Sequence, residues 1–272
     1  PGQTMFGLLR FFPVILVAIL LRKKVYLHWH GYGILGLIQR RGIIKSLIFR
    51  KSITNILLTN DLKRELQDRG CDIGGCCVIQ NFANDTPIVT KRELNTEAKI
   101  NVLYLSGLMV EKGINEFVEI SKLSDEFKFV VCGKGGSEVV EGVETAFDRN
   151  QLVYRGLVQG AAKDEVFKEA DVFVLQTYYP TEGVPLTIIE AMSHGCAIIT
   201  TNHNGIPETV GNAGMFIEPK SPQELLGALN KLNEDRNLLL EYQIRSIQQS
   251  ELFSSEKFKR NILNVFSLGN LK

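Results

Sequence analysis

Residues 181–201, TEGVPLTIIEAMSHGCAIITT, decide the fold. Pro185 suits the first turn of a helix, Gly195 suits its C-terminal cap, and Leu186, Ile189 and Met192 repeat at the spacing of a buried stripe. The stretch therefore predicts a helix from Pro185 to His194 that runs into a short buried strand, CAIITT. Two acids bracket the helix start: Glu182 in the feeding loop and Glu190 on the helix body. Unsatisfied backbone N–H groups and the positive end of the helix dipole would lie between them, which favours an anion. A phosphorylated ligand is the expectation.

Outward from this stretch the same alternation continues. Upstream, KINVLYLS, KGINEFVEISKL, FKFVVCG, SEVVEGVETAFDRN, LVYRG, KDEVFKEA and DVFVLQ read as strand, helix, strand, helix, strand, helix and strand. Further back, VYLHW, an apolar helical stretch near residues 34–48, ITNILLT, NDLKRELQDRG and CCVI form a second such series. The polar stretch between Asn84 and Ala98 reads as a linker. The fold class is α/β, with two doubly wound, Rossmann-like domains and parallel sheets whose ligands bind beyond the carboxyl ends of the strands. The expected boundaries are residues 1–91 for a partial N-terminal domain, 92–253 for a C-terminal domain, and 254–272 for a helix crossing back to the first; the site is expected in the cleft between the domains.

Composition narrows the function. Lys plus Arg number 31 against 30 Asp plus Glu, so no overall charge favours nucleic acid. Five cysteines, an odd number with two in predicted buried strands, favour a reducing compartment and lack the spacing of a zinc site. The apolar run Met5–Leu21 is interrupted by Arg10 and Pro13 and falls short of the ~20 residues a bilayer span needs, so it reads as a buried helix leading into a strand. His28 and His30 alternate on one side of that strand, and two histidines without a nearby acid or thiol do not make a metal site.

Five segments in order, SGLMVEKGINEF, VVCGKG, YRGLV, TEGVPLTIIEAMSHGCAIITTNHNGIPETV and GMFIEPKSPQELLGAL, resemble the donor domain of the retaining glycosyltransferases of family 4, which have the GT-B fold. The resemblance is strong over residues 99–249 and looser over 25–82. It implies a Gly-rich strand-turn-helix and two further βα units ahead of VYLHWHGYG; these are not found, so the N-terminal domain is read as incomplete.

The resemblance also assigns roles. Glu182 would contact the hydroxyls of the transferred sugar and Glu190 the nucleotide ribose, a sensible use of acceptor-only carboxylates. The backbone of Gly183, Val184, Pro185 and Leu186 would lie along the sugar and diphosphate, with Pro185 giving no N–H. Lys112 would neutralise the diphosphate, usually with an arginine about six residues earlier, where Ser106, Gly107 and Leu108 stand here and Gly107 takes the arginine's place. Gly133 would bring backbone close to the nucleotide, Leu157 and Val158 would face the nucleobase, and His30 would lie near the sugar.

The implied activity is transfer of a sugar from a nucleoside diphosphate sugar to a saccharide or lipid-linked acceptor, with no metal or other cofactor, in surface polysaccharide or glycolipid synthesis. The expected place is the cytoplasm, at the inner face of a membrane, with peripheral membrane contact. Two other readings stay open: a nucleotide-sugar-binding subunit that needs a partner to complete its N-terminal domain, and a GT-B sugar-nucleotide epimerase.

Overall fold

The computed structural model describes residues 5–40, 42–83, 98–149 and 152–270. Contacts divide the chain into two compact units: Pro1–Phe82 with Pro180–Val184 and Ser255–Lys272, and Ala83–Tyr179 with Pro185–Ser254. The linker and the boundary expected at residues 91 and 92 lie outside the described residues.

In the first unit, α1 (Met5–Leu20) leads into β1 (Val25–His28), followed by α2 (Gly33–Arg40), α3 (Gly42–Ile48), β2 (Ile53–Leu57), α4 (Asn60–Asp68) and β3 (Cys76–Val78). The three strands pair in parallel, in the order β1-β2-β3. Thr59 caps α4, its hydroxyl accepting from Leu62 N at 3.2 Å. The core gathers Leu8 and Ile15 of α1 with Leu27, Trp29, Ile34, Leu57 and Leu62. Trp29 is fully buried and donates its indole N–H to Asn55 Oδ1 at 2.8 Å, so its polar end is satisfied where it is out of water. Only one face of α1 is buried: Phe6 and Leu20 on the other are 85% and 73% exposed, which corrects the expectation of a buried helix.

In the second unit, β4 (Ile100–Leu105), α5 (Ile114–Leu123), β5 (Phe127–Cys132), α6 (Ser137–Asp148), β6 (Val153–Tyr154), α7 (Ala161–Glu169), β7 (Val172–Leu175), α8 (Leu186–Ser193), β8 (Ala197–Thr201), α9 (Ile206–Val210) and β9 (Gly214–Ile217) alternate along the chain. The six strands pair in parallel in the order β6-β5-β4-β7-β8-β9. This is a doubly wound order whose direction reverses between β4 and β7, and such a switch point opens a crevice at the carboxyl strand ends. Strands β4, β7 and β8 are almost wholly buried, as a parallel sheet covered on both faces requires. Helices α10 (Pro222–Glu234) and α11 (Arg236–Ser250) pack on this unit, each started by a side-chain cap, Ser221 and Asp235. The last helix, α12 (Ser255–Asn270), groups with the first unit, where the Phe258 ring lies tilted against Phe82 and Phe266 meets Tyr26 edge-on.

Candidate functional site

The second unit carries a cavity of about 770 Å³ at the carboxyl ends of β4, β5 and β6. Its floor is made by two backbone segments that approach each other more closely than side chains would allow. Gly133 has φ +144°, and a Cβ there would stand 1.9 Å from Ser106 O; one on Gly135 would stand 2.1 Å from Leu108 O. A bridge between Leu108 and Gly135 and the 2.9 Å hydrogen bond from Leu108 N to Lys134 O hold the two together. The glycines of CGKGG thus do the packing work of a tight strand-end turn.

Among the expected residues, Gly107, Gly133, Leu157, Val158 and Glu190 all line this cavity. Glu190 comes from α8, which spans Leu186–Ser193 between Pro185 and His194 as caps. The helix is held at its C-terminal end by the fully buried His194, whose Nδ1–H donates to Glu190 O at 2.8 Å. Leu186 corrects the expected buried stripe: it is 49% exposed as the first residue of α8, and Ile188, Ile189, Ala191 and Met192 are the buried positions. Thr187, one residue further on, lines the cavity instead.

Sequence reasoning missed Lys163 of α7, whose ammonium lies 2.6 Å from each Glu190 carboxylate oxygen. Only the contact with Oε1 is aligned as a hydrogen bond; Oε2 is an ion-pair contact that leaves its lone pairs unused. Both side chains are partly buried, at 25% and 18% exposure, where an ion pair is less screened than at the surface. The residues stand 27 apart, so no local pattern could have announced the pair. Lys134 also lines the cavity, and with Lys163 it gives the wall around Gly107 two cations against Asp164 and Glu190.

Lys112 stands elsewhere. It ends a 3₁₀ turn, Val110–Lys112, before α5, and its ammonium lies 5.2 Å from the centre of the Tyr179 ring, a cation–π geometry. It does not line the cavity. Gly113 behind it has φ +80°, and a Cβ there would fall 2.6 Å from Gln176 O, so the turn is fixed against the end of β7. Tyr178 N, donating to Glu111 O at 2.8 Å, ties the same two segments.

Of the remaining expected residues, His30, Glu182, Gly183 and Val184 belong to the first unit and Pro185 to the second. Segment Pro180–Val184 groups with the first, and a Cβ on Gly183 would lie 2.7 Å from His30 O and 2.9 Å from the Gly31 Cα. His30 and the Glu182–Gly183 loop are therefore neighbours, and glycine is what permits the approach. Asn81 fixes the loop further, its Nδ2 donating to Val184 O at 3.3 Å. Glu182, Gly183, Val184 and Pro185 are buried. The His28 and His30 rings lie 4.2 Å apart. Burial, then the neighbouring His30, lowers the His28 pKa to about 4; partial desolvation also lowers that of His30, whose side chain keeps solvent access. Both rings are neutral at pH 7, and no cluster of three metal-ligating side chains occurs among the described residues.

A glycine-floored cavity beyond the carboxyl strand ends of a doubly wound sheet lies where α/β proteins of this order bind their ligands. A family model described as Glycosyl transferases group 1 matches residues 86–249, more than half of the chain, and the chain belongs to that family. The fold is GT-B. The structure of Anabaena HepE in complex with UDP superposes with a TM-score of 0.78 at 16% identity, over 93% of this chain and 74% of that one. In sequence, the chain is 28% identical over 246 residues to the N,N'-diacetylbacillosaminyl-diphospho-undecaprenol alpha-1,3-N-acetylgalactosaminyltransferase of Campylobacter jejuni, covering 83% of this chain and 64% of that protein. It is 22% identical over 253 residues to the sulfoquinovosyl transferase SQD2 of Arabidopsis thaliana, covering 87% and 49%. The chain thus spans about half to two thirds of the length of these curated relatives.

Proposed function

We propose that the chain takes a sugar from a uridine or other nucleoside diphosphate sugar and transfers it to a hydroxyl of a saccharide or lipid-linked acceptor, with retention of configuration. The observation that carries this reading is the cavity at the switch point, lined by Gly107, Gly133, Leu157, Val158 and Glu190 and of a size that suits a nucleotide. Glu190 accepts from the ribose hydroxyls, and Lys163 keeps that carboxylate oriented. The glycine floor lets the diphosphate approach backbone, with Lys134 and Lys163 balancing its charge. Glu182 and the backbone of residues 183–186 hold the sugar. Lys112 supports the leaving diphosphate as negative charge develops, a task for preorganised donors that calls on no metal. Neutral His30 accepts a hydrogen bond from the acceptor or sugar. The UDP in HepE supports the donor class, and the diphospho-undecaprenol in the name of the Campylobacter protein supports a lipid-linked acceptor and a role in surface polysaccharide or glycolipid synthesis. The odd number of cysteines supports a cytoplasmic setting, at the inner face of a membrane.

Release of UDP from UDP-sugars by the chain tests the reading. Release that is lost in Glu182→Ala while UDP binding survives supports it; no release and no nucleotide binding with any nucleoside diphosphate sugar sinks it. A second reading, a donor-binding subunit that acts only with a partner, is favoured by the outer edge of β1, which no strand pairs among the described residues. It predicts nucleotide binding without release until the partner is added.

A further inference from the structure

We infer that Tyr154 is a positioning residue of the donor site: by holding the Gly133 carbonyl it keeps the Lys134 N–H free for the ligand, and that amide binds the diphosphate together with the Gly107 N–H. This rests on the nucleotide reading of the cavity and specifies the groups that meet its phosphates. Backbone donors and acceptors that lack a partner inside a protein are the ones left for water or a ligand.

Tyr154, on β6, donates its hydroxyl to Gly133 O at 3.0 Å. Gly133 N donates to Gly156 O at 2.7 Å, and Lys134 O accepts from Leu108 N at 2.9 Å. From Gly133 N to Lys134 O, the Lys134 N–H is thus the group with no acceptor among the described residues. The peptide between Gly133 and Lys134 is trans, so a carbonyl held toward Tyr154 directs this N–H the opposite way. A matching arrangement stands across the floor. Ser106 O lies against Gly133, where a Cβ would come within 1.9 Å of it, and the Gly107 N–H of the same trans peptide turns away from that contact. It too has no acceptor among the described residues. The next peptide is held at both ends, Gly107 O by the Tyr104 hydroxyl and Leu108 N by Lys134 O.

Gly107 and Lys134 both line the cavity, so the two N–H groups belong to its wall. Backbone amides whose carbonyls are tied back form a concavity that suits an anion. Fixed in advance, they need no rearrangement as negative charge develops on a leaving diphosphate. The Tyr154 hydroxyl matters because the residue it holds is loose: Gly133 sits at φ +144° with no Cβ, and glycine has the freedom to let the following peptide turn over. Turned over, Gly133 O would face the phosphates and repel them. Burial, then Glu144, raises the Tyr154 pKa, so the hydroxyl stays a donor at neutral pH.

Tyr154→Phe removes the hydroxyl and keeps the ring. Calorimetric titration of the full chain with UDP and with uridine, beside a melting curve, reads the effect: UDP should bind about fivefold to tenfold more weakly, the weight of one well-made hydrogen bond, and uridine should bind as before. A residue that only supported the fold would weaken both ligands alike, or lower the melting temperature alone. Amide resonances of an isotope-labelled chain test the contacts without any substitution: UDP should shift the Gly107 and Lys134 amides strongly, and uridine should not. Unchanged UDP affinity in a folded Tyr154→Phe chain, equal losses for UDP and uridine, or Gly107 and Lys134 amides that UDP leaves in place would each overturn the inference. Failure of the nucleotide reading itself looks different: the unsubstituted chain then binds neither UDP nor uridine, and the inference falls with it.

Discussion

Replacing Gly107 with arginine adds a third cation to a cavity already lined by Lys134 and Lys163. Gly107 lines the cavity, its φ is not in the left-handed region, and a Cβ there would meet nothing closer than Met109 Sδ at 3.9 Å. Its carbonyl stays pinned by the Tyr104 hydroxyl, which donates to it at 3.2 Å, so the backbone should not move. A guanidinium reaching a diphosphate oxygen is worth about 1.5–3 kcal/mol where water is excluded. This cavity is open and already holds Lys134 and Lys163, so about 1–1.5 kcal/mol, roughly fivefold to tenfold in affinity, is the expected gain. Calorimetric titration with UDP and with uridine, repeated at higher salt, reads it out: UDP should bind tighter, uridine should not, and salt should erode the difference. Equal gains for uridine and UDP, or no gain in a variant that keeps its melting temperature, would refute the placement of the diphosphate beside Gly107.

The other predictions concern single groups. Glu190→Ala should weaken UDP binding by about 1–3 kcal/mol, the worth of hydrogen bonds to a charged group, whereas Glu182→Ala should change sugar-dependent binding and leave UDP alone; equal losses would merge the two roles. Lys112→Ala should cut sugar transfer more than donor affinity in steady-state assays, and unchanged transfer would remove the lysine from the chemistry. Gly133→Ala should destabilise the second unit by several kcal/mol in denaturant titrations, because its Cβ would fall 1.9 Å from Ser106 O at φ +144°; a cost under about 1 kcal/mol would mean that the floor relaxes. His28 titrates near 4 when folded and near 6.5 when unfolded, so between these values the unfolded chain binds more protons and stability should rise with pH. His28→Leu should flatten that slope in melting curves, and a slope of the opposite sign would contradict the burial of the ring.

Much of the second unit was legible because its signals are local. Pro185, Gly195 and the apolar positions between them located α8 to within a residue at each end, and the runs KINVLYL and FKFVVC read as the strands β4 and β5. The features that escaped depend on contacts between distant residues. Nothing near Lys163 shows that its ammonium will meet Glu190, and nothing in TEGV shows that Gly183 will lie against His30. Leu186 was misplaced because a three-residue spacing fits more than one face of a short helix, and tertiary packing chose Ile188 instead. The apolar run in α1 was recognised as helical, but hydrophobicity all round a helix does not reveal which side the core will take.

The central claim is that the cavity at the ends of β4, β5 and β6 holds the nucleotide of the donor. Crystals of the chain grown with UDP test it most directly. The account predicts density for the nucleotide in that cavity, its ribose hydroxyls on Glu190, its base beside Leu157 and Val158, and its phosphates over Gly107 and Gly133. UDP bound elsewhere on the chain, or lying in the cavity with its phosphates against Leu157 and its base at Gly107, would contradict it.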